Sequence, residues 1–318
     1  MMTNIGDPVS TLGGRQRVSS ADRERLARQM GLDQPIANQY IFWLIGNDWF
    51  RVDTDGDGVG DSYGIRKGIL RGDLGDSFRE HRPAMRVIGD KIPPTLLLMG
   101  SSYLVTIVLA LGIGIYSALR QYTWIDNVIT ALSFIFYSMP IFWIALSLLW
   151  IFAVLFKQWG LPYLPVIGMY EPGQPITLGE VTRHLILPVT SLSLISVAGY
   201  SRYIRSTMLE VIHADYIRTA RAKGLGERRI VYRHALKNTA LPLVTIIGLD
   251  VPFLLGGAIV TEQIFSWPGT GQLFINSLER ADFPVLMGLL MLIAVLVVAF
   301  QLVTDLLYTL LDPRIRLS

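Results

Sequence analysis

The chain has 318 residues, 51% of them hydrophobic and 17% charged, where an average soluble domain carries about 25% charged residues. Its mean hydropathy is +0.43 and the apolar excess lies in five long runs, so the composition describes an integral membrane protein rather than a large soluble core. Cysteine is absent and the net charge is only +3. That excludes disulfide staples, thiol nucleophiles, iron–sulfur clusters and Cys-ligated zinc. The four histidines, His81, His184, His213 and His234, do not pair at metal-ligand spacing.

Residues 1–93 are polar, with 13 basic and 13 acidic residues. Ser20 is a candidate N-cap for a helix through ADRERLARQM, stopping at Gly31. A second amphipathic piece is expected over Gln34–Phe50. The stretch that follows, residues 53–61, has Asp53, Asp55 and Asp57 at alternate positions, Gly58 at the sixth and Asp61 at the ninth. Alternation turns the three carboxylates toward one point, Gly58 permits a sharp turn, and the Val59 carbonyl and Asp61 add oxygens. This is the pattern of the first nine positions of an EF-hand-type calcium loop. Gly64 stands where the bidentate Glu would be, so the expected Ca2+ site is weak. A solvated acidic turn is the alternative, disfavoured because four close carboxylates repel without a cation.

Five uncharged or nearly uncharged runs follow, at about 94–119, 128–156 (carrying Pro140), 185–206 (ending on Arg202 and Arg205), 240–264 and 284–311. At about 1.5 Å per residue each is long enough to cross a hydrocarbon core of about 30 Å. The loop 210–239 holds seven basic and three acidic residues, which places it in the cytoplasm. The tail 312–318, with Arg314 and Arg316, falls on the same side, as does the loop 122–126. The loops 157–184 and 266–283 are poor in Lys and Arg and fall outside. By parity residues 1–93 are extracytoplasmic. No basic stretch with an apolar run precedes them, so their export is expected to be led by a helix encoded upstream of Met1, about 20–30 mostly apolar residues.

Within the basic loop, Asp215 is positioned to cap a helix from Tyr216 to about Lys223, and Gly224 to end it. A second helical piece runs through residues 231–238. A helix–glycine–helix knob of this kind suits a groove on a cytosolic partner. Asp250 in the fourth run and Asp305 in the fifth are carboxylates within spans; Asp250 is the candidate for the translocation path.

These residues carry a resemblance. YIRTARAKGL (216–225), RHALKNTALPLVT (233–245), EQIFSWPGTG (262–271), LDPRIR (311–316), and upstream GDLGDS (72–77) and MGLDQP (30–35) occur in order over nearly the whole chain. Together they resemble permease subunits of type I ABC importers, in the dipeptide/oligopeptide (DppB/OppB-like) family. The resemblance implies an all-α polytopic fold with six helices, five of which are in this chain (94–311), plus the extracytoplasmic segment 1–93. Restoring the upstream helix would give six spans with both termini in the cytoplasm. The aspartate-rich insert is not part of the family's minimal pattern. Arg218-Thr219-Ala220 stands where the family's Glu-Ala-Ala would be.

The resemblance further implies a coupling helix in 213–229 that docks on an ATPase, carried onto Asp215, Tyr216, Arg218, Thr219, Ala220, Ala222, Lys223, Gly224 and Leu225. It implies a second related permease, two cytosolic ATPases and an extracytoplasmic substrate-binding protein. No Gly-x4-Gly-Lys-Ser/Thr stretch occurs in the chain, so ATP hydrolysis is assigned to separate subunits and no catalytic residue or cofactor is expected here beyond Ca2+ at 53–61. Peptides are the expected solute, with nickel, glutathione or sugar as alternatives within the same class. A secondary transporter would rest on Asp250 and Asp305 and leaves the basic knob without a purpose. An intramembrane hydrolase lacks a histidine at depth.

Overall fold

The computed structural model describes residues 34–52, 61, 62, 64, 66–236, 239, 246 and 258–311. The chain divides into two compact units, Met1–Lys91 with Leu273–Leu292, and Ile92–Gln272 with Ile293–Ser318.

In the first unit, α1 (Ile36–Ile45) is shorter than the piece expected over 34–50. Gly46, at φ +93, ends it. The Asn47 and Asp48 N–H groups then donate to the Arg66 carbonyl (2.9 and 3.3 Å), while the Arg66 N–H donates to Asn47 Oδ1 (3.0 Å). A side chain at Gly46 would meet the Arg66 carbonyl at 2.5 Å, so both backbone angle and space demand glycine. Arg71 pairs with Asp48 and donates to the Ile45 carbonyl, covering the helix end. A short antiparallel ribbon, β1 (Arg51–Val52) with β2 (Asp61–Ser62), is the one sheet among the described residues. The short helix α2 (Ala84–Gly89) begins after Pro83. Buried Asp282 accepts from Ser77 Oγ (2.5 Å) and the Phe78 N–H (3.1 Å), fixing the segment before α2. Gly288 lets Leu74 and Ile88 pack where a Cβ would meet them at 2.9 and 2.8 Å.

The second unit holds most of the membrane helices. α3 (Ile92–Leu119) has Pro93 and Pro94 in its first turn, where no intrahelical N–H is lost. Its buried residues Thr95, Leu98, Ser102, Thr106, Ala110 and Gly114 recur every three or four positions, one face of a helix. That face is small and polar, and it packs against α6 (Leu178–Ile212). Ser102 and Ser193 hydroxyls meet at 3.3 Å. A Cβ at Gly114 would lie 2.8 Å from Ile204 and from the Ser201 carbonyl. Close approach of this kind supplies the packing that drives helix association in lipid.

Where a single helix was expected over 128–156, the structure has two. α4 (Trp124–Ser138) stops at Met139, whose backbone is extended, and α5 (Ile141–Leu149) restarts after Pro140. Proline pushes its predecessor out of the helical region and has no N–H to continue the ladder. α5 runs on through a π turn, Trp150–Leu155, and a last α turn, Phe156–Gln158. α6 is longer than the expected 185–206. Thr177 caps it, its hydroxyl accepting the Glu180 N–H at 3.2 Å, and the helix continues through Pro188 to Ile212.

The expected span 240–264 lies outside the described residues except for position 246 and the stretch from 258; its last part is α9 (Ile259–Ile264). Next come α10 (Thr270–Glu279), a helix within the stretch 266–283 expected as loop, and α11 (Phe283–Leu311), within one residue of expectation. Among the described residues four helices are long and apolar enough to cross a membrane: Ala84–Leu119, Ile141–Gln158, Leu178–Ile212 and Phe283–Val303. The Ser20-capped helix, ending at Gly31, lies outside the described residues.

Candidate functional site

The basic loop after α6 is a compact knob. α7 (Asp215–Ala222) begins at Asp215 itself, with Ala214 in the N-cap position and no side-chain cap. Asp215 is therefore the first helical residue and not the cap, a place where a carboxylate still favours the positive end of the helix dipole. Gly224 ends α7 at φ +76. Its N–H donates to the Arg221 carbonyl (2.9 Å) and the Leu225 N–H reaches back to the Ala220 carbonyl (3.3 Å), the paired bonds of a Schellman stop. The second piece starts earlier than expected, as α8 (Glu227–Arg229), and continues through a π turn, Ile230–Ala235.

One face of this knob is apolar. Ile217, Ala220, Ile230, Val231 and Ala235 are buried against Ile115 and Ala118 of α3 and Ile204 and Met208 of α6, with Leu225 packed at the edge. The other face is charged and aromatic: Tyr216, Arg218, Lys223, Arg228, Arg229, Tyr232 and Arg233 are exposed. The Arg221 guanidinium bonds Glu227 at 2.7 Å and holds that carboxyl below its usual range. This exposed pair spans the glycine break. Asp215 lies 3.8 Å from Arg218 in open solvent, a pair that contributes little. Thr219 donates to the Asp215 carbonyl, and Ala222 is exposed. Of the nine residues expected at the site, then, Ala220 and Leu225 hold the knob to the bundle. The remaining seven are exposed.

A buried ion pair lies near the start of α4. Asp126 of α4, 2% exposed, accepts from Arg205 Nε and Nη2 at 2.9 and 2.8 Å, from the Tyr122 N–H at 3.0 Å and from Ser117 Oγ. It joins α3, α4 and α6. A second buried carboxylate, Glu262, accepts from Thr95 Oγ1 (3.1 Å) and the Gln272 N–H (2.9 Å), while Trp267 Nε1 donates to the Pro94 carbonyl (2.8 Å). The Glu262 carboxylate fills the space a Gly269 side chain would need. The stretch 262–271 is thus lashed to the first turn of α3. Sequence reading gave no role to Asp126, Arg205 or Glu262. Only the intramembrane placement of the charges could have flagged them.

Asp250 lies outside the described residues. So do Asp53, Asp55, Asp57 and Val59, and of Asp61 only the backbone, in β2, is described. Among the described residues no three His, Cys, Asp or Glu side chains gather as metal ligands.

Residues 110–317 match the family of binding-protein-dependent transport system inner membrane components. The chain is 39% identical, over 98% of its length and 90% of the relative's, to the oligopeptide transport system permease protein AppB of Bacillus subtilis (strain 168). It is 35% identical, with the same coverage, to the dipeptide transport system permease protein DppB of Escherichia coli (strain K12). Among solved structures it is similar to an inward-facing conformation of the MetNI methionine ABC transporter, with TM-score 0.55 and 19% identity over 72% of this chain and 97% of that one.

Proposed function

We propose that this chain, which belongs to the family of binding-protein-dependent transport system inner membrane components, carries di- or oligopeptides. Family membership makes it a multi-pass membrane permease subunit of an ABC importer, a transport component and not a catalyst. The peptide assignment is supported by one observation above the others. Identity of 35–39% to oligopeptide and dipeptide permeases runs along 98% of the chain, so it covers the extracytoplasmic segment as well as the bundle.

In this reading the exposed face of the knob, from Asp215 to Lys223 with Tyr232 and Arg233, docks on a cytosolic ATPase. A second permease completes the pathway, and a substrate-binding protein delivers the solute from outside. The buried face, on Ile204, Met208 and Ala118, passes ATPase movement to α3 and α6. Asp250 remains the proposed path residue, and loop 53–61 the proposed Ca2+ site.

The complete transporter, with its binding protein, reconstituted in vesicles tests this. Dialanine and trialanine uptake is expected to need ATP, to stop with vanadate and to survive an ionophore. Ionophore-sensitive, ATP-independent uptake would return the reading to a secondary carrier. ATP-driven uptake of nickel, glutathione or sugar in place of peptides would keep the importer and move the solute.

A further inference from the structure

α6 carries Arg202 and Arg205 one turn apart, and they reach different surroundings. Arg205 closes on Asp126 near the start of α4. The Arg202 guanidinium lies over the rings of Phe134 and Tyr137, 4.8 and 4.5 Å from their centroids. Those rings are farther along α4. Tyr122 and Trp124, both largely exposed, mark the membrane–water boundary at the helix start, as interfacial aromatics do. Arg202 lies within the long apolar helix Leu178–Ile212, one turn, about 4.5 Å, farther from its end than Arg205.

An arginine in such a helix is costly and ordinarily has a partner. Asp126 is already taken by Arg205, and no carboxylate pairs with Arg202 among the described residues. Its Nε is buried without an acceptor. The two aromatic rings stabilise the cation but give the buried Nε no acceptor, and a guanidinium matches a carboxylate. A cavity of about 10 Å³, room for no more than one water, lies beside Arg202, lined by Ile113 and Ile129 as well as Ser117, Thr130, Ser133 and Ser201.

We propose that Arg202 is an intramembrane receptor for a carboxylate of the transported solute, the Phe134–Tyr137 clamp holding its guanidinium until the solute passes. This rests on the importer reading above. Asp126 keeps Arg205 neutralised, so one cation and not two faces the solute, which favours capture that is still reversible.

The test uses the complete transporter in phosphatidylcholine vesicles. Arg202→Gln is expected to lower dialanine uptake per ATP hydrolysed about tenfold, the scale of a lost charge-assisted hydrogen bond. Arg202→Lys should keep part of it, and ATP hydrolysis stimulated by the binding protein should stay near wild type in both. Dialanine amide, which lacks the carboxylate, should be carried equally by wild type and Arg202→Gln. An unchanged uptake-to-hydrolysis ratio in Arg202→Gln, or an equal loss with the amide, would overturn the proposal. So would a defect that appears only when phosphatidylglycerol is added, which would assign the site to lipid. Wild-type vesicles that fail to take up dialanine would count against the importer reading instead. The site is then read directly, by phenylglyoxal modification of Arg202 in the assembled protein followed by peptide mass spectrometry. Millimolar dialanine should protect Arg202 and dialanine amide should not; equal protection by both, or by neither, removes the carboxylate site.

Discussion

Gly224 shows how one residue can be tested for conformation alone. A Cβ there meets no atom within 4 Å, yet φ is +76, so any substitution acts through backbone strain. Gly226, two residues on, is equally uncrowded but has φ −66. Gly224→Ala should therefore weaken the Schellman stop by about 1 kcal/mol, and Gly226→Ala should be close to neutral. In the proposed docking role this difference is expected as reduced ATPase retention in pull-downs and slower uptake for Gly224→Ala and more so for Gly224→Val. Equal behaviour of the two alanine variants would separate the glycine turn from docking. The Gly224 stop was legible in the sequence because its hydrogen bonds join residues only three and five apart. The capping role given to Asp215 was not fulfilled, since α7 takes Asp215 into its own first turn.

Between elements, the decisive contacts join residues far apart in the chain. Asp126 binds α4 to α6 through Arg205, 79 positions away, and to α3 through Ser117. Because the Asp126 side chain is almost fully buried, removing Arg205 strands a carboxylate, and removing Asp126 strands a cation. Each of Asp126→Ala and Arg205→Ala is expected to lower stability by about 3 kcal/mol. The double variant Asp126→Ala/Arg205→Ala should be less unstable than the two losses summed, because neither charge is left alone. Thermal melts of the detergent-solubilised protein check this; strictly additive losses would show that the pair is not coupled. The two arginines at the end of the run 185–206 were visible in the sequence, but their different partners were not. One turn of α6 puts Arg205 level with Asp126 and lets Arg202 reach Phe134 and Tyr137, a distinction set by helix packing alone.

For the whole molecule, the acidic loop 53–61 is the one sequence feature that the transport reading leaves unused. It is expected to bind Ca2+ with a dissociation constant of about 0.1–1 mM, the range of weak extracellular sites. Calorimetry on the intact protein should show that heat, and the double substitution Asp55→Ala with Asp57→Ala should remove it. No heat at several times that concentration would leave a solvated acidic turn. The membrane class and the run that became α11 were determined by the sequence alone, because apolar length acts locally and needs no partner; the Lys/Arg bias of loop 210–239 supports the cytoplasmic side proposed for it. The break of the second run into α4 and α5 was foreshadowed by Pro140, but that Met139 becomes a full stop while Pro188 is carried inside α6 was decided by tertiary packing. α6 lies along α3 and shares the Ser102–Ser193 contact, whereas Met139 stands where α4 and α5 separate. The buried carboxylates followed the same rule. Nothing near Glu262 in sequence names Thr95, 167 positions away, and only the folded bundle brings a hydroxyl and a helix N-terminus to a charge that hydrocarbon would otherwise expel.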